Sequence, residues 1–101
     1  MMVQLESREK ELVAWLAGEI DHHTAQPLRE QVDATVERTN PRTLWLDFHD
    51  VTFMDSSGIA VILKAYRRMQ HLNGTLLVCH VPGQARRVLD AAGVGRLVRI
   101  Q

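Results

Sequence analysis

The sequence predicts an α/β fold in which helices pack on a mixed, mainly parallel sheet of about five strands. After an opening pair of strands, short apolar runs alternate with stretches of helical spacing. The runs at 44–46 and 76–79 are apolar on consecutive residues, which is typical of central parallel strands. The 101 residues are expected to form one domain, 1–101, and 46% of them are hydrophobic, which is enough for a core.

The chain opens with two strand patterns. Residues 3–6 alternate apolar and polar side chains, as an edge strand does, and 7–10 have the composition of a turn. Residues 12–17 form a second, β-prone run, which Gly18 is expected to end. Two tryptophans lie on predicted strands and are expected in the core: Trp15 and Trp45.

The next segment has helical spacing from Thr24 to about Arg38. Pro27 fits the first turn of this helix, where no N–H group is needed, and Asn40-Pro41 is expected to end it. Residues at the spacing of one buried face are Ala25, Leu28, Val32, Thr35 and Val36.

A third strand at 44–48 is followed by a predicted turn at His49-Asp50 and an apolar stretch at 51–54. Small polar residues come next, and three of them are favourable N-caps: Asp55, Ser56 and Ser57. Helical spacing then runs from Ile59 to Leu72. Its expected inward face contains Ile59, Ile62, Leu63, Tyr66 and Met69.

A strand at 75–81, a short helix at 84–92 and a strand at 97–100 complete the pattern. Cys79 lies within an apolar run, so we expect a buried, unreactive thiol. A single cysteine excludes a disulfide within the chain.

Charge and hydropathy argue against several classes of function. Twelve basic residues balance twelve acidic ones, so no net charge favours nucleic acid or an anionic membrane. No apolar run reaches the roughly 20 residues of a membrane span, and the N-terminus lacks the pattern of a signal peptide. We therefore expect a cytoplasmic protein with no direct nucleic-acid partner and no membrane partner. We also expect no cofactor.

Two polar loops are expected to lie side by side. In a mainly parallel sheet, sites gather where strands lead into helices, and the loops at 18–24 and 49–58 are of this kind. Ser56 stands at a helix start, where unpaired N–H groups and the helix dipole would offset the charge of a phosphate on its hydroxyl. The alternative is that Asp55 and Ser56 only cap the helix.

A family signature lies in two segments, GEIDHHTA at 18–25 and FMDSSGI at 53–59. Both resemble the anti-sigma factor antagonists of the STAS domain family, and most closely the sporulation anti-sigma-F type. The helix start at 58–63, the strand at 74–81 and the segment RVLD at 87–90 also fit the family pattern. The resemblance thus covers nearly the whole chain.

The resemblance implies a single STAS domain that is not an enzyme. It implies that the domain binds an anti-sigma factor that is also an ATP-dependent serine kinase, and thereby releases the sigma factor. Phosphorylation on Ser56 would switch this binding off, and a serine phosphatase would restore it. The alternative within the family is a STAS subunit of another signalling or lipid-transport assembly.

The resemblance also implies site residues. It places the phosphorylation site at Ser56, with Ser57 as the neighbouring alternative, and it matches Asp21 to a partner-contact position. The implied partner-binding surface consists of Asp21, His22, Asp55, Ser56, Ser57, Gly58 and Ile59. The chain departs from the family at Ala60, where a second glycine is common, and relatives often continue beyond the position of Gln101 into a terminal helix.

Other interpretations of the polar residues have less support. His22 and His23 beside Asp21 are not expected to hold a metal ion, because adjacent side chains rarely chelate one ion. A hydrolase with Ser56 or Ser57 as nucleophile would lack the Gly-x-Ser-x-Gly elbow. Six arginines of the second half of the chain could form a basic patch, but the zero net charge favours a solvated face: Arg67, Arg68, Arg86, Arg87, Arg96 and Arg99.

Overall fold

A computed structural model describes residues 2–101, with five strands, three α-helices and a 3₁₀ turn at Val94–Arg96. The strands are β1 (Met2–Arg8), β2 (Glu11–Ile20), β3 (Thr43–Met54), β4 (Thr75–Cys79) and β5 (Arg99–Ile100). The helices are α1 (His22–Thr39), α2 (Ser57–His71) and α3 (Gly83–Ala92). The strand order is β1-β2-β3-β4-β5, with β1 antiparallel to β2 and each later pair parallel. The predicted fold class is confirmed.

The two faces of the sheet differ in burial. Alternate residues of β2, Leu12, Ala14 and Leu16, are at most 1% exposed and share one core with residues of all three helices. The residues between them point to the opposite face, which is more open. Trp15 is 37% exposed there and Trp45 is half-buried. Their predicted place in the core is wrong, because the period of two puts both side chains on the open face.

β2 and β3 are longer than predicted. β2 continues through Gly18, which has a φ of +92°, as far as Ile20. β3 continues through the predicted turn at His49-Asp50 to Met54. The register between the two strands shifts twice, because β3 carries an extra residue in two places. Each extra residue forms a β-bulge and interrupts the alternation of apolar and polar side chains. The ends of β2 and β3 were therefore predicted too early.

Left-handed residues set two other boundaries. Glu9, with a φ of +56°, closes a two-residue turn, so β1 is longer and the turn shorter than predicted. His80, with a φ of +55°, follows the last residue of β4, Cys79, and this strand is correspondingly shorter. Neither position carries the glycine or asparagine that usually indicates such a conformation.

The predicted buried stripe of α1 is confirmed for all five residues. The helix ends as expected, with Asn40 left-handed at a φ of +49°. It begins at His22 rather than Thr24, so Pro27 lies inside the helix and not in its first turn. None of the helices in residues 2–101 combines the length and apolar character that a membrane span needs.

The predicted inward face of α2 is correct only in part. Ile62 and Met69 are buried, whereas Ile59, Leu63 and Tyr66 are half-buried. The small and branched residues that are buried instead are Gly58, Val61 and Ala65. Val61 and Ala65 line the contact with Val32 and Val36 of α1, so the buried stripe is rotated toward that helix.

Candidate functional site

Asp21 follows β2 and caps α1. Its Oδ1 accepts hydrogen bonds from the backbone N–H groups of His23 (2.9 Å) and Thr24 (3.0 Å). The Thr24 hydroxyl oxygen accepts one in return from the Asp21 N–H (2.9 Å). This capping box lowers the pKa of Asp21, mainly through the Thr24 N–H. The Asp–Thr spacing was the signal in the sequence that could have placed the helix start at His22.

His22 and His23 are the first residues of α1 rather than part of a loop. Both are exposed, and their ring centroids lie 5.8 Å apart in an edge-on arrangement. His22 also borders a shallow depression between the starts of α1 and α2, with a volume of about 180 Å³. It is therefore accessible on the same surface as the serine turn, residues 55–58.

The cap of α2 is provided by Asp55 and not by Ser56. Asp55 Oδ1 accepts a hydrogen bond of 2.7 Å from the Ser57 N–H. Ser56 stands in the N-cap position, but its φ of −62° is already helical and its side chain makes no capping hydrogen bond. Asp55 thus caps the helix, whereas Ser56 is exposed and does not.

The first N–H groups of α2 are already bonded. The Ser57 N–H donates to the Asp55 carboxylate, the Gly58 N–H to Asp55 O (3.0 Å) and the Ile59 N–H to Ser56 O (3.1 Å). Three of the N–H groups that were expected to offset a phosphate on Ser56 are therefore already paired in the unmodified protein.

The two predicted loops are adjacent, as expected. Ile20 and Met54 pair at the ends of β2 and β3, and the Asp55 N–H donates to Ile20 O (3.1 Å). The turn that leads to Asp21 and the serine turn therefore share one edge of the sheet. Gly58 brings α2 close to this edge, since a Cβ at this position would collide with Sδ and Cγ of Met54.

A groove between α2 and α3 extends from the exposed Ser56. Its volume is about 610 Å³, and its lining residues are Ser56, Ile59, Gln84, Arg87, Val88, Ala91 and Ala92. Arg87 is exposed, as predicted, but it places a cation in the same groove as Ser56. No local pattern indicates that Ser56 and Arg87 line one groove, because only the packing of α3 brings Arg87 to it.

Gln84 connects α3 to the serine turn. Its Oε1 accepts a hydrogen bond from the Met54 N–H (2.9 Å), and its Nε2 donates one to Met54 O (2.8 Å). The side-chain amide thus satisfies both backbone groups of the last residue of β3. No short-range pattern could have indicated this contact, which joins residues 30 positions apart.

Comparison with known proteins defines the class of this protein. The family model of the STAS domain matches residues 2–101, so the chain belongs to the STAS domain family. The family predicted from the two motifs is confirmed.

Individual relatives and solved structures within this family show which of its members the chain is similar to. An anti-sigma F factor antagonist from Paenibacillus polymyxa is 33% identical over 100 residues, which are 99% of this chain and 86% of the relative. One from Lysinibacillus sphaericus is 29% identical over 96 residues, with 94% and 82% covered. The anti-sigma factor antagonist SpoIIAA in its unphosphorylated form gives a TM-score of 0.85 at 26% identity, over 99% of this chain and 88% of that one. The phosphorylated form of SpoIIAA, described as a Bacillus cell fate determinant, gives 0.76 at 26% identity, over 99% and 91%.

Proposed function

We propose that this protein is an anti-sigma factor antagonist of the sporulation, anti-sigma-F type. Its unphosphorylated form binds an anti-sigma factor that is also a serine kinase, and phosphorylation on Ser56 ends the binding. The observation that carries this proposal is the exposed Ser56 side chain, which is free of the helix cap and lies beside the Asp21 turn. The names of the relatives, and the existence of SpoIIAA in unphosphorylated and phosphorylated forms, support it.

The proposed partner surface combines the starts of α1 and α2. His22 and Ser56 are exposed and contribute direct contacts. Asp21 and Asp55 use their carboxylates to cap the two helices, so they act mainly by fixing the backbone of the surface. Three further residues complete it, namely Ser57, Gly58 and Ile59, of which Ile59 opens onto the groove toward α3.

The proposed switch is electrostatic. A phosphate adds about −1.5 to −2 charges to Ser56, next to the carboxylate of Asp55. Because the N–H groups of Ser57, Gly58 and Ile59 are bonded within the protein, they are less available to offset this charge. Arg87 lines the same groove and is the cation there that could neutralise part of the charge. The remaining charge meets the docked partner, where repulsion and desolvation weaken binding without refolding the domain.

Three variants test the proposal against the cognate kinase. Calorimetric titration is expected to give wild-type affinity for Ser56→Ala and for the neighbouring control Ser57→Ala. Ser56→Asp should bind about tenfold more weakly or worse, because one buried like-charge contact costs more than about 1.4 kcal/mol. Incubation with the kinase and ATP should place a phosphate on Ser56 in the wild type and in Ser57→Ala.

Two results would count against the proposal. Equal affinities of Ser56→Asp and Ser56→Ala contradict the charge mechanism. A phosphate mapped to Ser57 by mass spectrometry contradicts the assignment of the site.

The proposed switch depends on two enzymes that modify the protein. An ATP-dependent kinase and a serine phosphatase act on the protein in the cytoplasm, and the protein itself is not an enzyme and needs no cofactor, nucleic acid or membrane. The absence of any histidine bonded to the serine turn within residues 2–101 supports this over a hydrolase. Co-purification with a signalling or lipid-transport complex instead of a kinase would favour the alternative STAS subunit.

A further inference from the structure

A second set of polar side chains lies on the open face of the sheet, on the other side from the helices. Asp47, Cys79 and His80 each bring one potential ligand atom within 4.8 Å of the others. Asp47 and Cys79 are paired directly across β3 and β4, and both are buried. With Trp15 and Trp45 they line a recess of about 350 Å³.

The backbone at His80 creates this cluster. Successive residues of a strand point to opposite faces, so the side chains of Cys79 and His80 would normally diverge. The φ of +55° at His80 is a conformation that residues with a Cβ rarely adopt. It turns the imidazole back to the face of Asp47, where Nδ1 lies 3.0 Å from Oδ2.

Asp47 is held in a fixed orientation. Its Oδ1 accepts a hydrogen bond of 2.9 Å from the His49 N–H, which leaves Oδ2 directed at His80. The residue is only 9% exposed, and within residues 2–101 its one ion-pair partner is His80, whose charge depends on protonation. A largely buried carboxylate without a permanent counter-charge is unfavourable, and a bound cation would compensate it.

We propose that Asp47, Cys79 and His80 bind a divalent transition-metal ion of the zinc type. Sulfur, imidazole nitrogen and carboxylate oxygen are the ligands that Zn²⁺ prefers, and three protein ligands leave a fourth position for water. Ligands at about 2.0–2.3 Å from a tetrahedral ion lie about 3.3–3.8 Å apart, so the cluster needs to contract by only about 1 Å. The hydrogen bond between His49 and Asp47 is the kind of outer contact that orients a ligand.

The thiol must lose its proton to bind the ion. The incoming ion displaces this proton to solvent and takes the sulfur lone pair.

Titration of the purified chain with Co²⁺ tests the proposal. We expect one ion per chain, a near-ultraviolet thiolate-to-cobalt charge-transfer band, and its loss on addition of excess Zn²⁺. Cys79→Ala should abolish the band. His80→Asn should weaken binding by about tenfold or more, since asparagine tolerates the left-handed conformation but removes the imidazole. The matched control is His23→Asn, which removes an exposed histidine of α1 and should change nothing.

Thermal unfolding provides a second measurement, which does not use the cobalt charge-transfer band. Excess Zn²⁺ should raise the melting temperature of the wild type and of His23→Asn but not of His80→Asn, because only a ligand of the folded state stabilises it. Absence of the charge-transfer band in the wild type would overturn the proposal. So would wild-type affinity in His80→Asn, or a loss of binding in His23→Asn.

Discussion

Replacing Gly58 with alanine is expected to destabilise the fold, although alanine favours helices. The gain in helix propensity is at most about 1 kcal/mol. The added Cβ would collide with Sδ and Cγ of Met54, whose side chain is fully buried, and overpacking of this kind costs about 1–3 kcal/mol. After the full gain in helix propensity is subtracted, we expect a net loss of up to about 2 kcal/mol in the free energy of unfolding. In a domain of this size each 1 kcal/mol lowers the melting temperature by about 4–8 °C.

Gly83 offers a matched control, because it also opens a helix. A Cβ there would meet only Arg87 Nη1, at an ordinary contact distance of 3.7 Å. Thermal and urea unfolding, followed by circular dichroism, should show Gly83→Ala as stable as wild type or up to about 1 kcal/mol more stable. In a Met54→Ala background, Gly58→Ala should cost nothing further, because the new methyl group enters the vacated space. Wild-type stability of Gly58→Ala, or the same loss in the Met54→Ala background, would refute the reasoning.

Two further predictions concern single side chains. Asp21→Ala should unfold at lower urea concentration than Asp21→Asn at neutral pH, because asparagine still caps α1. The pKa of Asp21 is lowered in the folded protein from its unfolded value of 3.8. The stability that the Asp21 carboxylate contributes is therefore fully present above pH 3.8 and is lost as the pH falls through the lower, folded pKa. The difference in stability between wild type and Asp21→Ala should accordingly become smaller in acid. The pKa of Cys79 is raised to about 11, so its thiol should react with iodoacetamide far more slowly in the native than in the denatured protein. In the native protein the reaction rate should rise about tenfold per pH unit until the pH reaches this pKa. Equal rates in the native and denatured protein would contradict this.

Much of the fold could be predicted from periodicity. The buried stripe of α1 and the parallel central strands follow from spacing that the structure keeps. The bulges of β3 could not be predicted, because an extra residue shifts the alternation without leaving a glycine or proline as a mark. The burial of Val61 and Ala65 depends on where α1 lies beside α2, which a single helix pattern does not contain.

Some features of the candidate site could likewise be predicted from the sequence, and others could not. The two motifs were sufficient to place the Asp21 turn beside Ser56, since both follow neighbouring parallel strands. Which residue caps α2 was open, because Asp55 and Ser56 are both good N-caps, and the helical φ of Ser56 decides it. The position of Arg87 in the groove beside Ser56 leaves no local pattern in the sequence. The side-chain cluster around Asp47 could not be predicted either, because it depends on the left-handed conformation of His80 after β4.

The double hydrogen bond between Gln84 and Met54 has a consequence for the kind of partner that this edge can accept. A side-chain amide presents the same donor and acceptor as a peptide group, so the backbone of Met54, the last residue of β3, is satisfied without a further strand. Strand addition by a foreign peptide requires free backbone groups at a sheet edge. At Met54, next to the serine turn, a partner therefore has no free backbone groups for strand addition and has to dock through side chains.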